Sequence, residues 1–348
     1  MKTRIRFATN RDPQGQPIQG FGTRFNPAHP LELRFGEVRL DTGSAQLPRA
    51  GTSLADVLAK QLEGGRGELE VYGEDLESDP PVLGSQRLFE ELQQSMGAKR
   101  NALVYIHGFN VTFLEAVGSA MSLQKKLEER KTPTDVVLFS WPSDGSSTPW
   151  IAYHSDRDDA ASSGLAFSRA FQKLNGFLSD LAREDWCGGS IHLLCHSMGN
   201  FVLENTLWHL RKNLPGRLPR VFSEILLASA DVDNDALEEE SKLGRLPEIA
   251  RRISVYYNSG DEALVISDRT KGNPDRLGQR GPKHPMDAPA GVVNVDCSEI
   301  VGGLIEHSYY LDEAIGDVAA TLSGEREDQI PKRQYVASAN AYRLTAKG

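Results

Sequence analysis

Cysteine is scarce, long apolar runs are missing and positive charge is in deficit, and each shortage closes off a class of protein. Of 348 residues only three are cysteines. Cys187, Cys195 and Cys297 form an odd, sparse set without metal-ligand spacing, which excludes a disulfide scaffold and suits a reducing, cytoplasmic location. No apolar run approaches the roughly eighteen residues that a membrane span needs. The opening MKTRIRFATNRD has basic residues but no apolar core of a signal peptide, so export by that route is not expected. Lysine and arginine total 39 against 48 aspartates and glutamates, a formal charge of −9, which argues against nucleic acid or an anionic membrane surface as partner. The aromatic residues are not interleaved with basic ones as a base-stacking surface requires. No G-x-G-x-x-G follows the first strand, no P-loop lysine motif is present and no fixed period repeats, so nucleotides and solenoids drop out. No cofactor and no metal are expected. What remains, 39% hydrophobic and 25% charged residues, is the composition of a globular protein with a large core.

The first hundred residues read as β-rich and irregular. RIRFAT (4–9) and LELRFGEVRL (31–40) alternate as strands do, with a Gly/Pro-rich loop between them. Ser53 to Leu62 reads as a short helix, GELEVYG (67–73) as a strand, and Ser85 to Met96 as a helix with Leu88, Phe89 and Leu92 on one face. From residue 101 strands and helices alternate regularly. NALVYIHGF is a strand ending in a turn, Thr112 to Arg130 a helix, DVVLFSW (135–141) a strand, and Asp156 to Leu181 a long helix. The strands IHLLC, SEILLAS (223–229), ISVYYNS (253–259) and GVVNVDC (291–297) follow, the last of them leading to a helix over Tyr309 to Leu322. Only YVASANAYRL hints at a packed segment in the polar tail. Such alternation predicts an α/β fold: a mostly parallel sheet with helices on both faces and a β-rich N-terminal extension. The strands are near-continuous apolar runs, as burial on both faces demands. The expected organisation is one domain over 1–322, with the extension over 1–100, the core over 101–322 and a tail over 323–348.

In such sheets chemistry sits at the carboxyl ends of the strands. Four places pass that filter. IHLLCHSMGN puts Ser197 between a strand and a helix-like run, which is how a hydrolase nucleophile elbow reads. Small residues are needed two places before and after the serine; Gly199 meets this, and Cys195 stands where glycine is usual. His107-Gly108-Phe109-Asn110 follows ALVYI, and Gly108 permits a turn that aims a backbone N–H at an oxyanion. With Met198 N–H, Phe109 N–H completes the two donors an ester-cleaving serine enzyme needs, with Asn110 the neighbouring candidate. Asn258-Ser259-Gly260-Asp261 follows ISVYY and offers a carboxylate to orient a histidine. Asp231 and Asp233 in ASADVDND are the rival acids; Asp261 is preferred because the acid more often follows the later strand in this architecture. The same aspartates do not make a calcium loop, because Ala236 and Lys242 stand where the glycine and glutamate belong. Glu306-His307-Ser308 lies between the last strand and the last helix, and His307 alone among eight histidines fits the order Ser, Asp, His. Asn110 and Trp141, at the ends of their strands, are candidates to line the substrate pocket, although for Trp141 a ring packed beneath the lid region fits its position better. Asp156 and Arg157 read as a helix start, not as catalytic groups.

FATNR, VYIHGFNVTF, LFSWPSDG with the later Tyr153 and Asp156-Arg157, HLLCHSMGN, LLASADVD, NSGDEAL and HSYYLD together resemble the α/β-hydrolase superfamily. More narrowly they are similar to the bacterial esterase/lipase-like hydrolases of the DUF900 group. The stretches run in family order over about residues 3 to 322. The resemblance implies Ser197 as nucleophile, Asp261 as acid, His307 as base and oxyanion donors at Phe109 and Met198. Cys195 departs from the first elbow glycine, and Ser229-Ala230 stands where a proline before Asp231 is common. The insertion between Ser267 and Ala288 is variable territory with a place in the substrate mouth. The function expected is a serine hydrolase, a carboxylesterase acting on a small-molecule ester. An acyltransferase, thioesterase or amidase would use the same triad, and a catalytically silent α/β-hydrolase used as a binding module is the alternative from another class.

Overall fold

A computed structural model describes residues 2–26, 29, 32–44, 52–75, 77–143, 149–182, 188–214, 216–264, 275–302 and 307–346. The strands in chain order are β1 (Lys2–Thr9), β2 (Arg11–Gln14), β3 (Gly20–Phe25), β4 (Arg34–Asp41), β5 (Gly67–Val71), β6 (Asn101–Ile106), β7 (Thr134–Ser140), β8 (Ile191–His196), β9 (Phe222–Ala228), β10 (Ala250–Tyr257), β11 (Val292–Asp296), β12 (Arg333–Val336) and β13 (Ala341–Leu344). The longer helices are α1 (Leu54–Glu63), α2 (Gly84–Gly97), α3 (Phe113–Glu129), α4 (Pro149–Ala182), α5 (Gly199–Asn213) and α6 (Ile315–Leu322). Among the described residues, eleven strands make one sheet in the order β12-β13-β11-β10-β9-β8-β6-β7-β1-β4-β5, and β2 and β3 form a separate hairpin. From β13 to β1 neighbouring strands run parallel; the two ends of the sheet are antiparallel. The expected α/β fold, a mostly parallel sheet with helices on both faces and extra N-terminal strands, is therefore observed.

The side-chain period of a strand explains the two cores. In β8, Ile191, Leu193 and Cys195 turn to the face covered by Leu88 of α2, Phe171 of α4 and Val202 of α5. Leu194, pointing the other way, joins Leu58 of α1, Val117 of α3 and Val318 of α6. β6 connects through α3 to β7 on one side, while β8 connects through α5 to β9 on the other. These divergent connections open a crevice at the carboxyl ends of β6 and β8, the switch point where open α/β sheets place their ligands.

Some elements differ from expectation. The Gly/Pro-rich stretch after β1 contains the β2–β3 hairpin rather than a plain loop. β6 ends at Ile106, before the His-Gly turn. The long helix starts at Pro149, where a proline's missing N–H costs nothing; residues 144–148 before it lie outside the described residues. Tyr309 to Leu322 is not one helix: a single turn over Tyr309–Leu311 precedes α6. The break lets Tyr309 donate to Tyr256 O at 2.9 Å and brings Tyr310 Oη within 2.8 Å of Tyr105 Oη. GVVNVDC is not the last strand. The expected tail supplies β12 and β13, a hairpin whose β13 pairs with β11, and Arg333 clamps the hairpin by donating twice, at 2.7 Å each, to buried Asp317 of α6.

Candidate active site

The turn between β8 and α5 is built by backbone strain and close approach. Ser197 has φ +51°, a left-handed conformation uncommon outside glycine. It is held there by its neighbours: Ser197 N–H donates to Ala228 O at 2.9 Å, while Ser197 O accepts from Asn200 N–H and Asn200 Nδ2 at 3.0 Å and from Asp231 N–H at 3.2 Å. A Cβ on Gly199 would sit 2.7 Å from both His107 O and Ile106 O, so the second elbow glycine is obligatory. Cys195 instead lies in the apolar core on the α5 face, where a small side chain has room and burial pushes its thiol pKa well up. The departure from G-x-S-x-G is thus accommodated on the side of the elbow that faces packing rather than backbone.

The His107–Asn110 loop presses on the serine. A Cβ on Gly108 would lie 3.0 Å from Ser197 Cβ and 3.2 Å from His196 Nδ1. Asn110 N–H donates to Asp156 Oδ2 at 2.7 Å and Val111 N–H to Ser143 Oγ at 3.1 Å. Phe109 N–H and Met198 N–H, the two donors read from the sequence, have no acceptor among the described residues. Asn110 is therefore not the spare donor. Trp141 does not line a pocket either: it is fully buried, stacks on His107 at 5.2 Å and donates its indole N–H to His107 O at 2.9 Å. Its ring packs under the 107–111 loop.

The turn after β10 delivers the carboxylate. Asn258 Oδ1 accepts from Gly260 N–H at 3.0 Å and Asn258 O from Asp261 N–H at 3.1 Å, an Asx-type turn. Buried Asp261 then accepts from Ala263 N–H at 3.2 Å through Oδ1 and from His307 Nδ1 at 2.7 Å through Oδ2. Asp231 and Asp233 are engaged elsewhere. Asp231 accepts from Tyr153 Oη at 3.0 Å and pairs with the buried Arg276 at 3.3 Å; Asp233 takes Arg276 Nη1 at 2.7 Å and Lys242 Nζ at 3.2 Å. Lys242, which stands where a calcium loop would have its glutamate, ties Asp233 to Asp235. Arg276 also draws the second half of the 267–288 insertion into the fold; residues 265–274 lie outside the described residues, as does Glu306.

His307 is fixed from behind. Its carbonyl accepts from Ser229 Oγ at 2.8 Å and lies 3.1 Å from His196 Nε2, and the His196 and His307 rings are 4.8 Å apart between centroids. Burial, with His307 nearby, keeps His196 well below the usual histidine pKa, so its ring is neutral and can donate from Nε2. Ser197 Oγ makes no hydrogen bond to His307 in this structure. Sequence reasoning missed the scaffold beneath these groups: Arg11, Ser140, Ser143, and Asp156 in more than a helix-start role. Their signals were an arginine in FATNR and a serine in FSWPS, neither part of a catalytic motif. Among the described residues, no group of three or more His, Cys, Asp or Glu side chains is arranged to hold a metal ion, and no helix is long and apolar enough to cross a membrane.

Comparison with known proteins agrees with this architecture. No curated protein matches the chain in sequence. The family model described as an alpha/beta hydrolase of unknown function, DUF900, matches residues 85–326, a span running from α2 through β6, β8, α5 and β10 to α6. The chain belongs to the DUF900 family of α/β-hydrolase-fold proteins.

Proposed function

We propose that the chain is a serine hydrolase that cleaves carboxylic esters through an acyl-enzyme on Ser197. The observation that carries this reading is the 2.7 Å contact between His307 Nδ1 and buried Asp261 Oδ2, at the same sheet edge as a serine with φ +51°. Asp261 fixes the tautomer with the proton on Nδ1, which leaves Nε2 as the basic nitrogen. Ser197 Oγ attacks the ester carbonyl and gives its proton to His307 Nε2. The carbonyl oxygen becomes an oxyanion held by Phe109 and Met198 N–H, with the start of α5 adding its partial positive charge. Collapse expels the alcohol, which takes the proton from His307. Water then gives its proton to His307 and attacks the acyl-enzyme, and the acid leaves as Ser197 is reprotonated.

Hydrolysis of p-nitrophenyl acetate by the purified protein tests this. We expect turnover by the native chain and a loss of about 10³-fold or more in Ser197→Ala. Equal turnover in the two proteins would contradict the reading.

A further inference from the structure

The loop that carries Phe109 is held by a buried polar scaffold whose parts come from three distant elements. Arg11, at the start of β2, is 1% exposed. Its Nε donates to Ser140 Oγ at 2.9 Å, Nη1 to Gly22 O at 3.1 Å and Ser143 O at 3.2 Å, and Nη2 to Val111 O at 2.7 Å. The remaining Nη2 hydrogen faces His107 Nε2 at 3.5 Å. His107 can accept there because its proton sits on Nδ1, 2.8 Å from Gly108 O. Burial and the Arg11 charge lower the His107 pKa to about 3, which keeps that ring neutral. All five guanidinium hydrogens thus find acceptors, a pattern that no lysine can reproduce.

The opposite charge comes from α4. Asp156 Oδ2 accepts from Asn110 N–H at 2.7 Å and from Ser143 Oγ, and Ser143 Oγ in turn accepts from Val111 N–H. Ser143 is therefore shared: its carbonyl binds the cation and its hydroxyl binds the anion. Together these groups engage Gly108 O through His107, Asn110 N–H, and both Val111 N–H and Val111 O. Phe109 N–H, between them, is left without an acceptor among the described residues.

We propose that Arg11 and Asp156, joined through Ser143, are positioning residues that fix the 107–111 loop so that Phe109 N–H meets the developing oxyanion. The inference rests on the ester-hydrolase reading above. A charge pair sealed from water resists displacement, and a donor misplaced by about 1 Å loses on the order of 10² in rate. Oxyanion contacts form fully only in the transition state, so their loss appears in kcat and not in KM.

The test uses Ser143→Ala, Arg11→Lys and Asp156→Asn, with an oxo-ester and its thionoester analogue, whose C=S is a larger and weaker hydrogen-bond acceptor. Native activity lost in Ser197→Ala establishes the underlying reading; native protein without activity on either ester removes that reading and this inference together. With native activity in hand, we expect kcat for the oxo-ester to fall about 10- to 100-fold in folded variants with KM nearly unchanged, and the thionoester rate to fall much less. If folded Ser143→Ala keeps kcat within about twofold of native, or if both esters slow equally, the positioning role is overturned. Ser143→Ala removes a single oxygen, so it keeps the test decisive if the Arg11 variant does not fold.

Discussion

Two aspartates on neighbouring strand ends have opposite fates because of what stands beside them. Asp261 meets an imidazole; Asp231 meets a buried guanidinium and a tyrosine hydroxyl. The substitutions should separate accordingly. Asp261→Asn keeps the shape but favours the wrong histidine tautomer, and kcat should fall by about 10⁴-fold, the loss measured for the equivalent change in a serine protease. Asp231→Asn leaves Arg276 with less compensating charge in the interior, and its effect should appear in stability, by about 3–5 kcal/mol at the upper end. Steady-state kinetics and thermal melting of both variants check this, and a larger kcat loss in Asp231→Asn would reassign the acid. The groups proposed for chemistry stand out in the sequence: Ser197, Met198, Phe109 and Asp261 come shortly after apolar runs, and His307 lies between the last strand and the last helix that the sequence suggests. Arg11 does not, since an arginine in a short polar stretch reads as a solvated charge.

Helix α5, which follows Ser197, is braced by a close helix crossing, and glycine makes it possible. A Cβ on Gly164 of α4 would lie 2.5 Å from Asn205 Cβ and 2.8 Å from Asn205 C on α5. Thr206 Oγ1 donates across the same crossing to Gly164 O at 3.2 Å. Alanine is the better helix former by about 1 kcal/mol, but forcing the two backbones apart costs about 1–3 kcal/mol. Gly164→Ala should therefore lower stability in urea denaturation, and a gain would mean that α4 can shift away from α5 without loss. The regular alternation from residue 101 was readable because each strand is an apolar run bounded by turn residues. The hairpins were not. β12 and β13 have four residues each, and β12 keeps a solvent-facing side, so neither length nor pattern distinguishes it from a polar tail.

Among the described residues, burial disfavours the charged form of three interior histidines. Burial lowers His107 and His192 to about 3, and His196 well below its ordinary value. In the unfolded chain each regains a pKa near 6.5. Below that pH the unfolded state binds protons that the folded state refuses, so their contribution is complete above pH 6.5 and is lost as pH falls towards 3. Glu204, raised by burial to about 7, acts in the opposite sense, so a difference measurement is the clean one. Among the described residues, neither ring nitrogen of His192 has a hydrogen-bond partner. His192→Leu should gain stability over the native chain as pH drops from 8 to 4, by on the order of 2 kcal/mol. Equilibrium unfolding at the two pH values measures this, and a pH-independent difference would place the His192 titration elsewhere.

The proposal as a whole depends on one serine acting as a nucleophile. Treating the folded protein with a fluorophosphonate and mapping the adduct by peptide mass spectrometry tests that most directly. A single adduct on Ser197, absent after denaturation and in Ser197→Ala, is the expected result. A folded protein that takes no label, or takes it on another residue, would contradict the account.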